Sequence, residues 1–347
     1  MSQPTGGGKF IISLDFELMW GVRDIVTTET YGNHIKGVHK AIPRMLDCFQ
    51  RHAIRATFAA VGLLFFENKD EMIKGLPARR PQYKDSNLSP YGDYMDQQVG
   101  RDHTTDLYHF GPKLIQLIKN TPGQEIGTHT FSHYYCLEEG QTIDDFREDL
   151  KAAFAIAEKR GIRLRSIIFP RNQFNKKYLE VCQQAGITTY RNNEESWLYN
   201  ARSGEKESLT RRAFRLIDAY VNITGHHGYS EEYMMKAYPM INVPSSRFLR
   251  PYSERFRVLD NIRLNRIKNS MTHSAKNNLM YHLWWHPHNF GINQDQNFAF
   301  LEKILLHYQD LRNQYGFESV TMSELSEALI RKGQPQPHEP KLANPVG

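Results

Sequence analysis

Cysteine is scarce in this chain. Cys48, Cys136 and Cys182 are the only three among 347 residues, they stand far apart, and no Cys-x-x-Cys pair occurs. A disulfide framework is therefore not expected, and the composition fits a reducing compartment. Long apolar runs are lacking too. No stretch approaches 18 consecutive apolar residues, so no membrane-spanning helix is predicted. Residues 1–8 are polar and glycine-rich, without the apolar core of a signal peptide. We read them as a flexible start and expect a cytoplasmic protein, with peripheral membrane contact as its one route to a bilayer. Charge of one sign is not concentrated, since 44 Lys and Arg face 38 Asp and Glu for a net +6. The short basic clusters (Arg79-Arg80, Arg211-Arg212, Arg247 to Arg255) read as solvated faces, and no nucleic-acid partner is expected. No internal repeat is present.

What the chain does have is alternation. Forty per cent hydrophobic and 24% charged residues suit one large soluble α/β domain. Short β-branched and aromatic runs at 9–14, 53–61, 125–128, 164–169, 187–190, 279–285 and 317–320 read as strands. Helical periodicity fills 34–50, 111–119, 142–160, 176–185, 297–315 and 322–331, with Pro43 as a candidate start for the first. Thr142 is a candidate N-cap and Gly161 a stop. Strand, helix and strand in turn predict a parallel sheet closed or nearly closed into a barrel. Residues 66–105 are polar and proline-containing, an excursion read as a lid, a substrate loop or a disordered insert. Residues 191–275 carry few periodic signals and read as irregular, and 332–347 as a Pro-rich disordered tail.

The chemistry gathers where strands end, which is where ligands bind in parallel α/β folds. The first strand runs into Asp15-Phe16-Glu17, two carboxylates in apolar surroundings that need a cation or an arginine if both are buried. The third delivers His129 and His133, four residues apart, a spacing that puts two imidazoles on one side of a turn. The fourth ends in Pro170-Arg171, and the late strand in His286-Pro287-His288, with His282 earlier on it. Each residue has a plainer reading as a cap, an ion pair or a core histidine. Their convergence on several strand ends favours a metal-dependent hydrolytic site. Trp20, Trp284 and Trp285 adjoin these residues and could pack on a sugar ring or simply fill the core.

The order Asp-x-Glu, His-x3-His, Pro-Arg and a late His-Pro resembles the polysaccharide deacetylase family, the NodB-homology or carbohydrate esterase family 4 fold. The segment EIGTHTFSH at 125–133 carries the most specific likeness, and ATFAAVG at 56–62 is similar to the family's second strand. The resemblance covers about 9–331 and implies an α/β fold: a distorted (β/α) barrel of about seven parallel strands, with insertions at about 66–105 and 191–275. It implies a divalent metal, zinc first, on Glu17, His129 and His133. It implies Asp15 as base, Arg171 pairing with that base, and His286 as acid, with His282 and His288 as alternatives. Trp20, Trp284, Trp285 and His288 become candidate substrate contacts. Two departures stand out: the family's paired aspartates are here Asp15 and Glu17 with Phe16 between, and Arg171 follows its proline instead of preceding it. The implied substrate is an N- or O-acetylated sugar, expected as a surface-polysaccharide precursor. An allantoinase-like amidohydrolase on a small cyclic amide and an inactive carbohydrate-binding barrel are the competing readings.

Overall fold

The computed structural model describes residues 7–196, 198, 209–237 and 239–333. Most of the expected start and the last 14 residues of the expected tail lie outside the described residues. The core is a parallel sheet. Strand β1 (Lys9–Phe16) is buried from Phe10 onward and is followed by helix α1 (Thr28–Arg51) and β2 (Ala56–Ala60). Two short helices, α2 (Lys69–Lys74) and α3 (Asp93–Gln98), precede α4 (Pro112–Asn120) and β3 (Gln124–Thr128). Then come α5 (Ile143–Lys159), β4 (Ser166–Ile167), α6 (Lys176–Gln184) and β5 (Thr189–Tyr190). The second half holds α7 (Leu209–Asp218), α8 (Glu231–Met235), β6 (Ile241–Asn242), β7 (Arg247–Phe248) and α9 (Asp260–Lys276). It ends with β8 (Met280–Trp285), α10 (Gln294–Tyr315), β9 (Glu318–Ser319) and α11 (Met322–Gly333).

The order across the sheet is β6-β5-β4-β3-β2-β1-β8-β7, every pairing parallel, with β9 on the start of β1. β6 and β7 are two halves of one extended stretch. Its first half pairs with β5 and its second with β8, so residues 241–248 bridge the two ends of the curled sheet. Counting that stretch as one stave, the ring has the expected seven. Helices wrap the outside, and all strands point their carboxyl ends the same way.

Three expectations are corrected here. Helix α1 starts at Thr28, well before Pro43, because Thr27 caps it: the Thr27 hydroxyl accepts from the Thr30 N–H and the Thr30 hydroxyl accepts from the Thr27 N–H. Residues 191–275 are not irregular, since they supply β6, β7 and the 17-residue α9. Residues 66–105 are ordered and pinned at both flanks: Lys69 N–H donates to Arg101 O at 2.9 Å and Gln82 N–H to Gly140 O at 3.1 Å.

Candidate active site

Asp15 is the next-to-last residue of β1, beside Ala59 of β2, and Glu17 follows just beyond the strand. Their side chains go different ways. Asp15 is held in the fork of Arg191, both of its oxygens 2.7 Å from a guanidinium nitrogen. Glu17 turns to the histidines, its Oε2 3.4 Å from His129 Nε2 and 3.2 Å from His133 Nε2. All five groups are buried. The Glu17, His129 and His133 ligand atoms lie within 4.8 Å of one another, so the three predicted ligands do meet.

The loop that presents the histidines is strained and strongly tied. Thr130 and His133 both have positive φ, 65° and 60°. The Thr130 hydroxyl donates to His129 O at 2.6 Å and accepts from Tyr134 N–H at 2.7 Å. Behind it, the buried Asp149 of α5 accepts the N–H of Phe131 at 2.7 Å, that of Ser132 at 3.1 Å, and the Ser132 hydroxyl. Asp149→Ala would strand two buried amides, each worth about 1–3 kcal/mol. We expect a loss of about 3 kcal/mol or more in a denaturant titration, with Asp149→Asn losing less. An Ala variant as stable as wild type would contradict the clamp.

Glu17 is aimed by what is missing beneath it. A Cβ on Gly21 would lie 2.0 Å from Glu17 Cδ and 2.2 Å from its Oε2. Gly21→Ala should therefore push the carboxylate off the histidines. The expected result is metal binding weakened by more than about tenfold in a folded protein, read by titration calorimetry. Unchanged affinity would mean that Glu17 does not ligate.

The electrostatics suit a cation at Glu17. Burial would raise the Asp15 carboxyl, but Arg191, with His129 and His286, outweighs it and holds Asp15 below its usual range. Glu17 is likewise held well below its usual value against its burial, by imidazoles alone. His133 is shifted down by burial despite Glu17 beside it, and His288 to about 3 by burial and then by His286. A buried carboxylate that faces imidazoles and no guanidinium is an arrangement that a divalent cation completes. Two imidazoles and one carboxylate are also a donor set of catalytic zinc, one that leaves open positions. The residues present fit a divalent metal.

The predicted acids separate clearly. His286 is the most open, its side chain 25% exposed, with Nε2 3.8 Å from Asp15 Oδ2 and 3.7 Å from Glu17 Oε1. His288 is buried, stacked on His286 at 4.8 Å, with Nδ1 3.7 Å from Glu17 Oε1. It therefore backs the centre and offers little surface for substrate. His282 sits in mid-strand, fully buried, bonded through Nε2 to Ser13 Oγ at 2.8 Å and through Nδ1 to Val243 O at 3.2 Å. Arg191 donates to Ser13 Oγ at 3.0 Å, so the Ser13 hydrogen goes to His282 Nε2, and Nδ1 carries the imidazole's proton. That uses every valence of His282 in holding Ser13 and Arg191, and burial moves its pKa down to about 3.

Sequence reasoning named the wrong arginine for Asp15. Arg171 pairs instead with Asp24 and lies 3.8 Å from Glu138. Its backbone is left-handed, with φ 53°, as is that of Asn172, with φ 51°. This turn sets the Arg171 side chain on Asp24 and over the Tyr135 ring, whereas Arg191, directly after β5, reaches Asp15. Arg191 stands directly after the strand residues Thr189-Tyr190, and that position was the available signal. Asn172 then accepts from Arg191 at 3.3 Å. Two of the three tryptophans are also reassigned. Trp20 is fully buried and donates its indole N–H to His109 O at 2.8 Å, and Trp285 is buried against Phe290 and Phe49. Alternation along β8 turns Trp285 toward the helices and Trp284 toward the site, where Arg191 lies over its ring at 4.1 Å and His286 at 5.6 Å.

The polysaccharide deacetylase family model matches residues 30–190. That span holds His129, His133 and Arg171, while Asp15, Glu17, Arg191 and His286 lie outside it. Among solved structures, the chain is similar to one described as a polysaccharide deacetylase from Mycobacterium smegmatis, 13% identical, with a TM-score of 0.57 and 98% of each chain covered. It is similar to another so described from Pseudomonas aeruginosa PAO1, at 12% identity and TM-score 0.54, covering 94% of this chain and 92% of that one. It is also similar to Puue allantoinase, at 11% identity and TM-score 0.53, covering 95% and 91%. No curated protein matches the chain in sequence. No helix among the described residues is long and apolar enough to cross a membrane. The sequence match over residues 30–190 and the shared curled parallel sheet make the chain similar to polysaccharide deacetylases, hydrolases that act on the amide bonds of acetylated sugars.

Proposed function

We propose that this protein removes the acetyl group from an N-acetylated sugar by metal-dependent hydrolysis. The observation that carries the reading is the meeting of two differently partnered carboxylates, Asp15 on an arginine and Glu17 on two imidazoles, with His286 3.8 Å and 3.7 Å from them. A divalent ion on Glu17, His129 and His133, zinc first, would supply Lewis acidity toward the acetyl carbonyl and acidify water. Asp15 is the base. Arg191 keeps it ionised and fixes its plane, and the remaining lone pairs take the proton of the attacking water. His286 is the acid, because it is the site imidazole with open access to substrate and its ring N–H can donate to the leaving nitrogen. It protonates the leaving nitrogen as the C–N bond breaks, so that amide and water become acetate and amine. Trp284 walls the pocket beside His286.

Acetate release from the sugars, with ring opening of allantoin followed separately, tests this reading. The panel contains N-acetylated hexosamines, free and nucleotide-linked, together with O-acetylated sugars and the cyclic ureide allantoin. We expect release from an N-acetylated sugar and its loss by about a hundredfold or more in Asp15→Asn. Turnover of allantoin alone would favour the amidohydrolase reading, and sugar binding without turnover the inactive barrel.

A further inference from the structure

Arg171 is left without its expected role, and its surroundings suggest another. Its guanidinium lies over the Tyr135 ring at 4.3 Å, and the edge of that ring meets His133 at 5.1 Å. Asp24 pairs with Arg171 on one side and Glu138 lies 3.8 Å off on the other. Three polar atoms in this cluster are buried and unpartnered: Asp24 Oδ1, Tyr135 Oη and Arg23 Nε. They are an acceptor, a hydroxyl and a donor. Arg23 and Asp24 are neighbours in the chain, and Arg171 ties Asp24 to the Tyr135 ring. The left-handed backbone at 171–172 holds the guanidinium there, 37% exposed above nearly buried Asp24. Unmet donors and acceptors gathered beside it call for a ligand that both donates and accepts.

We propose that Arg171, Asp24 and Tyr135 form a subsite for the hydroxyl groups of the sugar ring, on the His133 side of the centre. The ligand is neutral. Two arginines and two carboxylates leave the cluster without net charge, and Arg171 already has both carboxylates, so a phosphate or uronate would gain little there. The subsite rests on the deacetylase reading for its sugar but not for its test.

The test separates binding from chemistry. Sugar binding is measured by titration calorimetry with a panel of N-acetylated hexosamines and their 6-phosphates, on His286→Ala protein so that nothing turns over. Hydrolysis of 4-nitrophenyl acetate, which has no sugar hydroxyls, is measured on protein with His286 intact. We expect Arg171→Ala and Asp24→Asn each to weaken the neutral sugar by about tenfold, a single charge-assisted hydrogen bond. The phosphate should bring no gain, and 4-nitrophenyl acetate hydrolysis should fall by less than the sugar affinity does. Unaltered sugar binding in both variants, no binding of any neutral sugar, a preference for the phosphate, or equal losses on sugar and ester would each overturn the subsite. Failure of wild type to release acetate while Arg171→Ala still weakens sugar binding would reject the hydrolase reading and keep the subsite.

Discussion

Arg191→Ala should destabilise the protein by about 3–5 kcal/mol and remove most of its hydrolytic activity. The guanidinium is 1% exposed and does four things at once. It neutralises Asp15 through two bonds of 2.7 Å, donates to Ser13 at 3.0 Å and to Asn172 at 3.3 Å, and covers the Trp284 ring. Its removal leaves an ionised carboxylate in the barrel with no full charge against it, and Asp15 answers by taking up a proton. A protonated Asp15 cannot serve as base. Arg191→Lys keeps the charge but loses the planar fork, so it should fall between wild type and alanine in both stability and rate. Ser13→Ala should do less than either, because it removes one neutral acceptor and leaves the charge pair intact. Arg171→Ala, on the rim, should leave the unfolding midpoint nearly unchanged. Urea titration of the four variants checks the order. Equal effects of Arg171→Ala and Arg191→Ala would contradict the assignment of the Asp15 partner.

The second large effect is expected at Glu17. Glu17→Gln keeps the side chain's size and removes its charge. Binding of divalent metal should weaken by more than about a hundredfold, the upper figure for losing an outer-shell partner alone. The metal-free protein tests the same residue without an ion. Despite its burial, Glu17 is held well below its usual range by His286, His129 and His133, so its charge favours the fold. The amide gives up that contribution, so the metal-free variant should melt no higher than metal-free wild type. Wild type should gain about 4 kcal/mol from metal at a thousandfold excess over its dissociation constant. The variant should gain almost none. Thermal melts with and without zinc read both halves. A Gln variant that zinc stabilises as much as it does wild type would contradict the ligand assignment.

Much of this site could be read before the fold was known, for a physical reason. Asp15, Glu17, His129, His133 and His286 each stand at or just past the end of a strand whose apolar run marks it in the sequence. The barrel then brings those ends together. Asp149, Ser13 and Gly21 carry no such mark, because their roles come from packing: a clamp from a helix, a hydroxyl inside the barrel, and an absent side chain under Glu17. The fold was hidden where the local signal is weak. Strands β4, β5, β6 and β7 are only two residues each, and their pairing depends on neighbours distant in sequence. Helix α9 escaped because its inward face is not apolar throughout. Arg263 and Arg266, each 4% exposed, and Ser270 and Ser274 lie on it among Leu264, Ile267 and Met271. Arg263 donates to Arg250 O at 2.5 Å and Arg266 to Gly225 O at 2.6 Å, so charged residues fill positions that a periodicity argument assigns to solvent.

The central claim is that Glu17, His129 and His133 form a metal centre on which hydrolysis depends. Acetate release from an N-acetylated sugar, followed on one preparation before chelation, after chelation and after return of zinc, tests it most directly. The account predicts that release stops on chelation and returns with about one equivalent of metal in wild type, and stays absent in the His129→Ala, His133→Ala double variant. Release that survives chelation, or that the double variant retains, would contradict it.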